Sequence, residues 1–159
     1  MGVLSERASA LVARARAAEQ KIATAESCTG GMIAAAITDI AGASSVFGFG
    51  FVTYANAAKT AMLGVPAPMI AAEGAVSEAV ARAMASGART RADADIAIAV
   101  TGIAGPEGGS PEKPVGTVWF GLATRDEVRA ERRVFAGDRA AVRAQTVEHA
   151  LALLHAAIG

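Results

Sequence analysis

The sequence predicts a layered α/β protein, and three observations predict it. Segments of helical period alternate with short strand-like segments along the chain. One strand segment, Ile96 to Val100, is apolar without a break, the pattern of a strand covered on both faces. Two strands end in small polar residues followed by glycine: Ser27-Cys28-Thr29-Gly30-Gly31 and Thr101-Gly102-Ile103-Ala104-Gly105. In α/β sheets, ligands bind in the crevice outside such carboxyl ends.

Taken in order, residues 3–19 read as a helix, with Leu4, Ala8, Leu11, Val12 and Ala15 at helical spacing. Lys21 to Ala25 reads as a strand that enters the first glycine turn, and Met32 to Ile40 as the helix that leaves it. Val46 to Tyr54 reads as a strand with Phe47, Phe49 and Phe51 on one side and Gly48, Gly50, Val52 and Tyr54 on the other. Two glycines on one face suggest a close approach there. Residues 56–63 read as a short helix, ended by Gly64 and the prolines at 66 and 68. Ser77 suits an N-cap for a helix running to about Arg91, with Val80, Ala83, Met84 and Gly87 as its stripe. After the strand at 96–100 comes a Gly- and Pro-rich loop to about Pro114, then strands at Val115–Ala123 and Val128–Ala136. Asp138 can cap a last helix, whose stripe is Val147, Ala150, Leu151, Leu154 and Ile158.

The 159 residues suit one domain, 1–159, and 53% hydrophobic residues suffice for a sizeable core. Fifteen basic residues balance fifteen acidic ones, which removes the electrostatic case for nucleic acid or an anionic membrane as partner. A single cysteine excludes an internal disulfide and fits a reducing compartment. No basic segment leads into an apolar run at the amino terminus, and no apolar stretch reaches the roughly 20 residues that span a bilayer. The expectation is a soluble cytoplasmic protein with a small-molecule partner; the apolar composition favours a homo-oligomer. Acidic residues do not cluster with histidine or cysteine at metal-ligand spacing, so neither metal nor cofactor is expected.

Ser27 is the best nucleophile candidate because it precedes a helix start, where free amides can bind an anion or an oxyanion. Its hydroxyl needs a base. Both histidines, His149 and His155, lie in the last helix outside its stripe. Of the three lysines, Lys21 starts a strand at the wrong end, Lys113 sits in the long loop, and Lys59 follows the Gly48/Gly50/Tyr54 face by one turn. Lys59 can therefore reach the crevice and serve as a base if burial lowers its pKa. Arg139 and Arg143 share a helix face and could clamp a phosphate. Each residue also has an ordinary reading. The glycine loops can be plain turns, Lys59 and the arginines solvated, Tyr54 a core residue, and Cys28 either a rival nucleophile or a small buried group.

Five stretches together resemble a known family: Thr24-Ala-Glu-Ser-Cys-Thr-Gly-Gly31, Tyr54-Ala-Asn-Ala-Ala-Lys59, Gly74-Ala-Val-Ser77, Val100-Thr-Gly-Ile-Ala-Gly-Pro-Glu-Gly-Gly109 and Lys113-Pro-Val-Gly-Thr-Val-Trp119. They resemble the carboxy-terminal domain of competence/damage-inducible protein CinA, whose stand-alone members are nicotinamide-nucleotide amidohydrolases. The resemblance covers residues 5–157. It implies a three-layer α/β/α sandwich and hydrolysis of the carboxamide of nicotinamide mononucleotide, with release of ammonia. It places the catalytic serine on Ser27, the lysine on Lys59 and an assisting, proton-relaying tyrosine on Tyr54. Thr29, Gly30, Gly31, Thr101, Gly102 and Gly105 would line the nucleotide site, with amides of the 29–31 turn holding the oxyanion. The family's Gly-Asp-Arg segment falls on Gly137-Asp138-Arg139, which favours Arg139 for the phosphate. The chain departs from the family pattern at Ala55 and Ala57, where many members carry serine and glutamate. A nucleotide-binding module without hydrolysis is the rival from another class.

Overall fold

The computed structural model describes residues 2–159. Its elements are α1 (Val3–Ala17), β1 (Ile22–Glu26), α2 (Met32–Thr38), a 3-10 turn (Ala43–Ser45), β2 (Phe47–Val52), α3 (Asn56–Leu63), α4 (Ala67–Glu73), α5 (Glu78–Ala92), β3 (Ile96–Gly102), β4 (Thr117–Thr124), β5 (Val128–Val134) and α6 (Arg139–Ala157). The strands form one sheet in the order β2-β1-β3-β4-β5. β1 is parallel to both β2 and β3, whereas β4 and β5 are antiparallel additions.

Alternation along β1 and β3 sorts two different cores onto the two faces. Ile22, Ile96, Ile98 and Val100 face α1, α2 and α6. Ala23, Ala25, Ala97 and Ala99 face α3, α4 and α5. The alanine face lets α5 lie almost on the sheet, where a Cβ on Gly121 would stand 2.1 Å from Ala81 O, and α5 meets α3 as closely, a Cβ on Gly87 standing 2.0 Å from Leu63 O. Helices on both faces make the expected α/β/α sandwich. Ser77 caps α5 by accepting from Val80 N, and Asp138 caps α6 by accepting from Ala141 N, as their positions suggested.

Three expectations need correction. Phe47, Phe49 and Phe51 do not share a face. The β1–β2 register slips between Ile22 and Ala23, so Phe47 packs on the α1/α6 side and Phe51 on the α5 side. A one-residue irregularity reverses the alternation beyond it. The close approach therefore falls at Gly50 alone, under Phe47, Thr24 and Ala34; Gly48 has open space. Pro66 and Pro68 do not merely end a helix. Pro66 is the N-cap of α4 and Pro68 lies in its first turn, where a missing N–H costs nothing. Leu4 is 39% exposed and lies outside the α1 stripe.

The chain leaves β1 through α2 on one face. It returns from β2 to β3 through α3, α4 and α5 on the other. The direction of winding thus reverses beside β1, which opens a crevice at the carboxyl ends of β1 and β3. Both glycine turns begin there.

Candidate active site

The first turn is anchored by a residue the sequence reading did not single out. Glu26 closes β1 and is 1% exposed. Its carboxylate accepts from Thr29 Oγ1 at 2.6 Å, Ile33 N at 2.8 Å and Ala34 N at 3.0 Å. Helix α2 has no side-chain cap of its own, because Gly31 occupies the N-cap at φ 106°. Glu26 therefore supplies the acceptors, and its charge suits the positive end of the helix. The signal was an acidic residue ending an apolar strand just before a helix without a capping residue.

Ser27 follows, 8% exposed. Lys59, on the first turn of α3, reaches back into the crevice and is 1% exposed. Its Nζ lies 3.0 Å from Ser27 Oγ, 3.0 Å from Thr53 O and 3.2 Å from Tyr54 O. Among the described residues no carboxylate pairs with it. Burial lowers its pKa from 10.5, weakly opposed by Cys28. Carbonyls can only accept, so two N–H bonds point at Thr53 and Tyr54. A neutral amine then has its lone pair free for the Ser27 hydroxyl.

The crevice is a cavity of about 210 Å³ lined by Ser27, Cys28, Tyr54, Lys59, Thr101, Gly102 and Arg139 among others. Gly102 is required by crowding: a Cβ there would lie 2.7 Å from Val118 and 3.2 Å from Cys28 Sγ. Thr101 donates its hydroxyl to Ala75 O, tying β3 to the α4–α5 connection. Arg139 donates to Gly105 O at 2.9 Å and to Tyr54 Oη at 3.2 Å, at the open rim, with Tyr54 62% exposed. Arg139 and Arg143 do not form a joint clamp, since Arg143 turns to Cys28 O and Thr29 O. Nor is Arg143 part of a solvated basic face; it is half-buried.

The turn's amides divide. Gly30 N donates to Ser27 O and Met32 N to Thr29 O. Gly30 is thus not the free oxyanion donor its position suggested, because the turn closes on itself through that amide. Among the described residues the amides of Thr29 and Gly31 have no acceptor, while the Cys28 amide faces its own thiol. Burial pushes the Cys28 thiol up to about 11, which keeps it un-ionised near neutrality. Lys21 and Lys113 are bound elsewhere, to Ser45 O and Glu73 O. His149 packs edge-on against Phe120, beside Glu131. His155 lines a larger groove of about 360 Å³ between α1 and α6, whose polar residues are exposed or half-buried.

Fold and site together define an α/β/α sandwich protein with a buried serine–lysine pair at the carboxyl end of its first strand. The chain belongs to the CinA C-terminal domain family, whose model matches residues 4–158. It is 59% identical over 133 residues to a CinA-like protein of Akkermansia muciniphila, covering 83% of this chain and 32% of that one. It is 62% identical over 130 residues to a CinA-like protein of Citrifermentans bemidjiense, covering 82% and 31%. The chain thus spans about a third of the length of these curated relatives. Among solved structures, a competence/damage inducible protein of Agrobacterium tumefaciens superposes with a TM-score of 0.94 at 46% identity, covering 98% of this chain and 96% of that one. A CinA superfamily protein of Klebsiella pneumoniae gives 0.94 at 41%, covering 98% and 97%. Among the described residues, no helix is long and apolar enough to cross a membrane.

Proposed function

We propose that this chain is an amidohydrolase that converts nicotinamide mononucleotide to nicotinate mononucleotide and ammonia. One observation carries the reading: a buried lysine without a carboxylate partner, its pKa lowered, 3.0 Å from a serine hydroxyl in a cleft. That is the arrangement a serine needs when no histidine serves as its base.

The geometry supports the following steps. Lys59 Nζ takes the Ser27 proton as Oγ bonds to the carboxamide carbon. The oxyanion forms at the cleft wall made by Ser27 and Cys28, before the positive end of α2. The C–N bond breaks, Lys59 returns the proton to the leaving nitrogen, and ammonia departs. Water then attacks the acyl ester, giving one proton to Lys59 and, through it, back to Ser27 Oγ. Direct contact between Lys59 and Ser27 makes the transfer possible without a relay. In this reading Tyr54 contributes its backbone carbonyl, which orients Lys59, and its phenol, which meets Arg139 at the rim. Arg139, cationic and open to solvent, suits the substrate phosphate. The substitution at Ala55 bears on the helix more than on the chemistry. Ala55 is the N-cap of α3, where a hydroxyl would cap, and Ala57 is exposed.

The test is ammonia release from nicotinamide mononucleotide by the parent, Ser27→Ala and Lys59→Met. Release by the parent alone supports the reading. Nucleotide binding by the parent without release would make the chain a binding module. Retained release in Ser27→Ala with loss in Cys28→Ala would move the nucleophile to the thiol.

A further inference from the structure

We infer that Asn56 binds the ribose hydroxyls of the nucleotide; the inference rests on the substrate lying as proposed, with its carboxamide at Ser27 and its phosphate at Arg139. The two ends of nicotinamide mononucleotide then have partners, and the vicinal diol between them needs one. A carboxylate is a common partner of a ribose hydroxyl. Among the described residues no carboxylate lines this cleft.

The other polar side chains of the cleft are engaged within the chain. Ser27 meets Lys59, Lys59 also meets Thr53 O and Tyr54 O, Thr101 donates to Ala75 O, and Tyr54 meets Arg139. The Cys28 thiol faces its own amide. Asn56 lines the same cleft and is exposed. Among the described residues its carboxamide bonds to nothing in the chain, so a donor and an acceptor are both uncommitted there.

Its place on α3 sets it beside the reacting pair. Asn56 and Lys59 are three residues apart and share a helix face. Helical side chains lean toward the amino terminus, and Lys59 runs back along that face to Thr53 O and Tyr54 O. Asn56 stands beside the lysine stem, exposed where Lys59 is buried, and only two residues after Tyr54 at the rim. That is the middle of the path from Ser27 to Arg139. A primary amide suits a cis-diol: Nδ2 donates to one hydroxyl while Oδ1 accepts from the other. A site that hydrogen-bonds a hydroxyl rejects the analogue without it, so Asn56 selects ribosyl over deoxyribosyl substrates.

The test is calorimetric binding to the full chain, with Ser27→Ala as background so that the ligand is not consumed. The ligands are nicotinamide mononucleotide and its 2′,3′-dideoxy analogue. Ser27→Ala should bind the ribonucleotide about 10–100-fold more tightly than the analogue, the worth of two neutral hydrogen bonds. Adding Asn56→Ala should bring both ligands to the same, weaker affinity. A general loosening of the site would instead weaken both alike and keep their ratio. Equal affinities in Ser27→Ala would overturn the proposal, as would a ratio that survives Asn56→Ala. So would failure of Ser27→Ala to bind the ribonucleotide. Ammonia release by the parent is measured alongside. Release without the ratio leaves the amidohydrolase reading standing and sinks the role of Asn56. A ratio that collapses with Asn56→Ala in a chain whose parent releases no ammonia does the reverse.

Discussion

The two glycine turns at the mouth of the sheet look alike in sequence and are built differently. The turn at 27–31 is clamped. Glu26 holds its hydroxyl and the start of α2, Arg143 holds its carbonyls, and Gly30 closes it internally. The loop from Thr101 is tied near its two ends and is otherwise open. Thr101 is tied to Ala75 O, and Gly116 N returns to Ile103 O, while residues 106–112 between them are exposed. Lys113 pins the far side to Glu73 O. The difference teaches a division of labour: the clamped turn suits bond-breaking, which tolerates little misplacement, and the open loop suits recognition.

The sharpest way to break this comparison is at the serine–lysine pair. Ser27→Ala should abolish ammonia release, and Lys59→Met should lower kcat by roughly 10²–10⁴-fold, the range for a positioned general base. Circular dichroism should show both folded. The pH profile sharpens the same point. Because burial lowers the Lys59 pKa below 10.5, kcat/KM should rise with pH as Lys59 loses its proton and fall away on the acid side. Stability has the same sign. The unfolded chain binds the proton more tightly, so unfolding free energy rises with pH from the lowered folded pKa up to about 10.5. Denaturant titrations below about pH 9, before the raised Cys28 thiol adds an opposing slope, should show the rise in the parent and none in Lys59→Met.

Next in size is Glu26→Gln. A glutamine must turn an NH₂ group toward one of three donors, so stability should fall by about 1–3 kcal/mol, read in a urea titration, and kcat should fall with it. Equal stability would show that the clamp is not what distinguishes the two turns. Arg139→Met belongs to the open side. It should raise KM for the phosphorylated substrate about 10–100-fold and leave kcat nearly unchanged, the worth of a charged hydrogen bond. A fall in kcat instead would place Arg139 with the chemistry. The smallest effect is expected at Lys113→Ala, within about threefold in KM, because Lys113 acts on the loop's far side through one neutral carbonyl.

Much of this was legible in the sequence, for physical reasons that are local. The unbroken apolar run at 96–100 has the pattern of a strand covered on both faces, and β3 is one. Ser77 and Asp138 cap their helices through a side chain and an amide three residues on. Ser27 stood out as a candidate because it precedes a helix start, and Lys59 because the other two lysines lie away from the crevice. What the tertiary structure decided depends on distant parts of the chain. The slip between β1 and β2 separates Phe47 from Phe51, and nothing near the phenylalanines encodes it. Arg139 and Arg143 share a helix face, yet one turns to the rim and the other to the turn at 27–31, 114 residues away in sequence from Thr29. Glu26 reads as an ordinary strand residue until α2 folds back and presents two amides without acceptors of their own. Periodicity and caps are properties of neighbouring residues, whereas a hydrogen bond to a carbonyl across the fold is settled only when the layers pack.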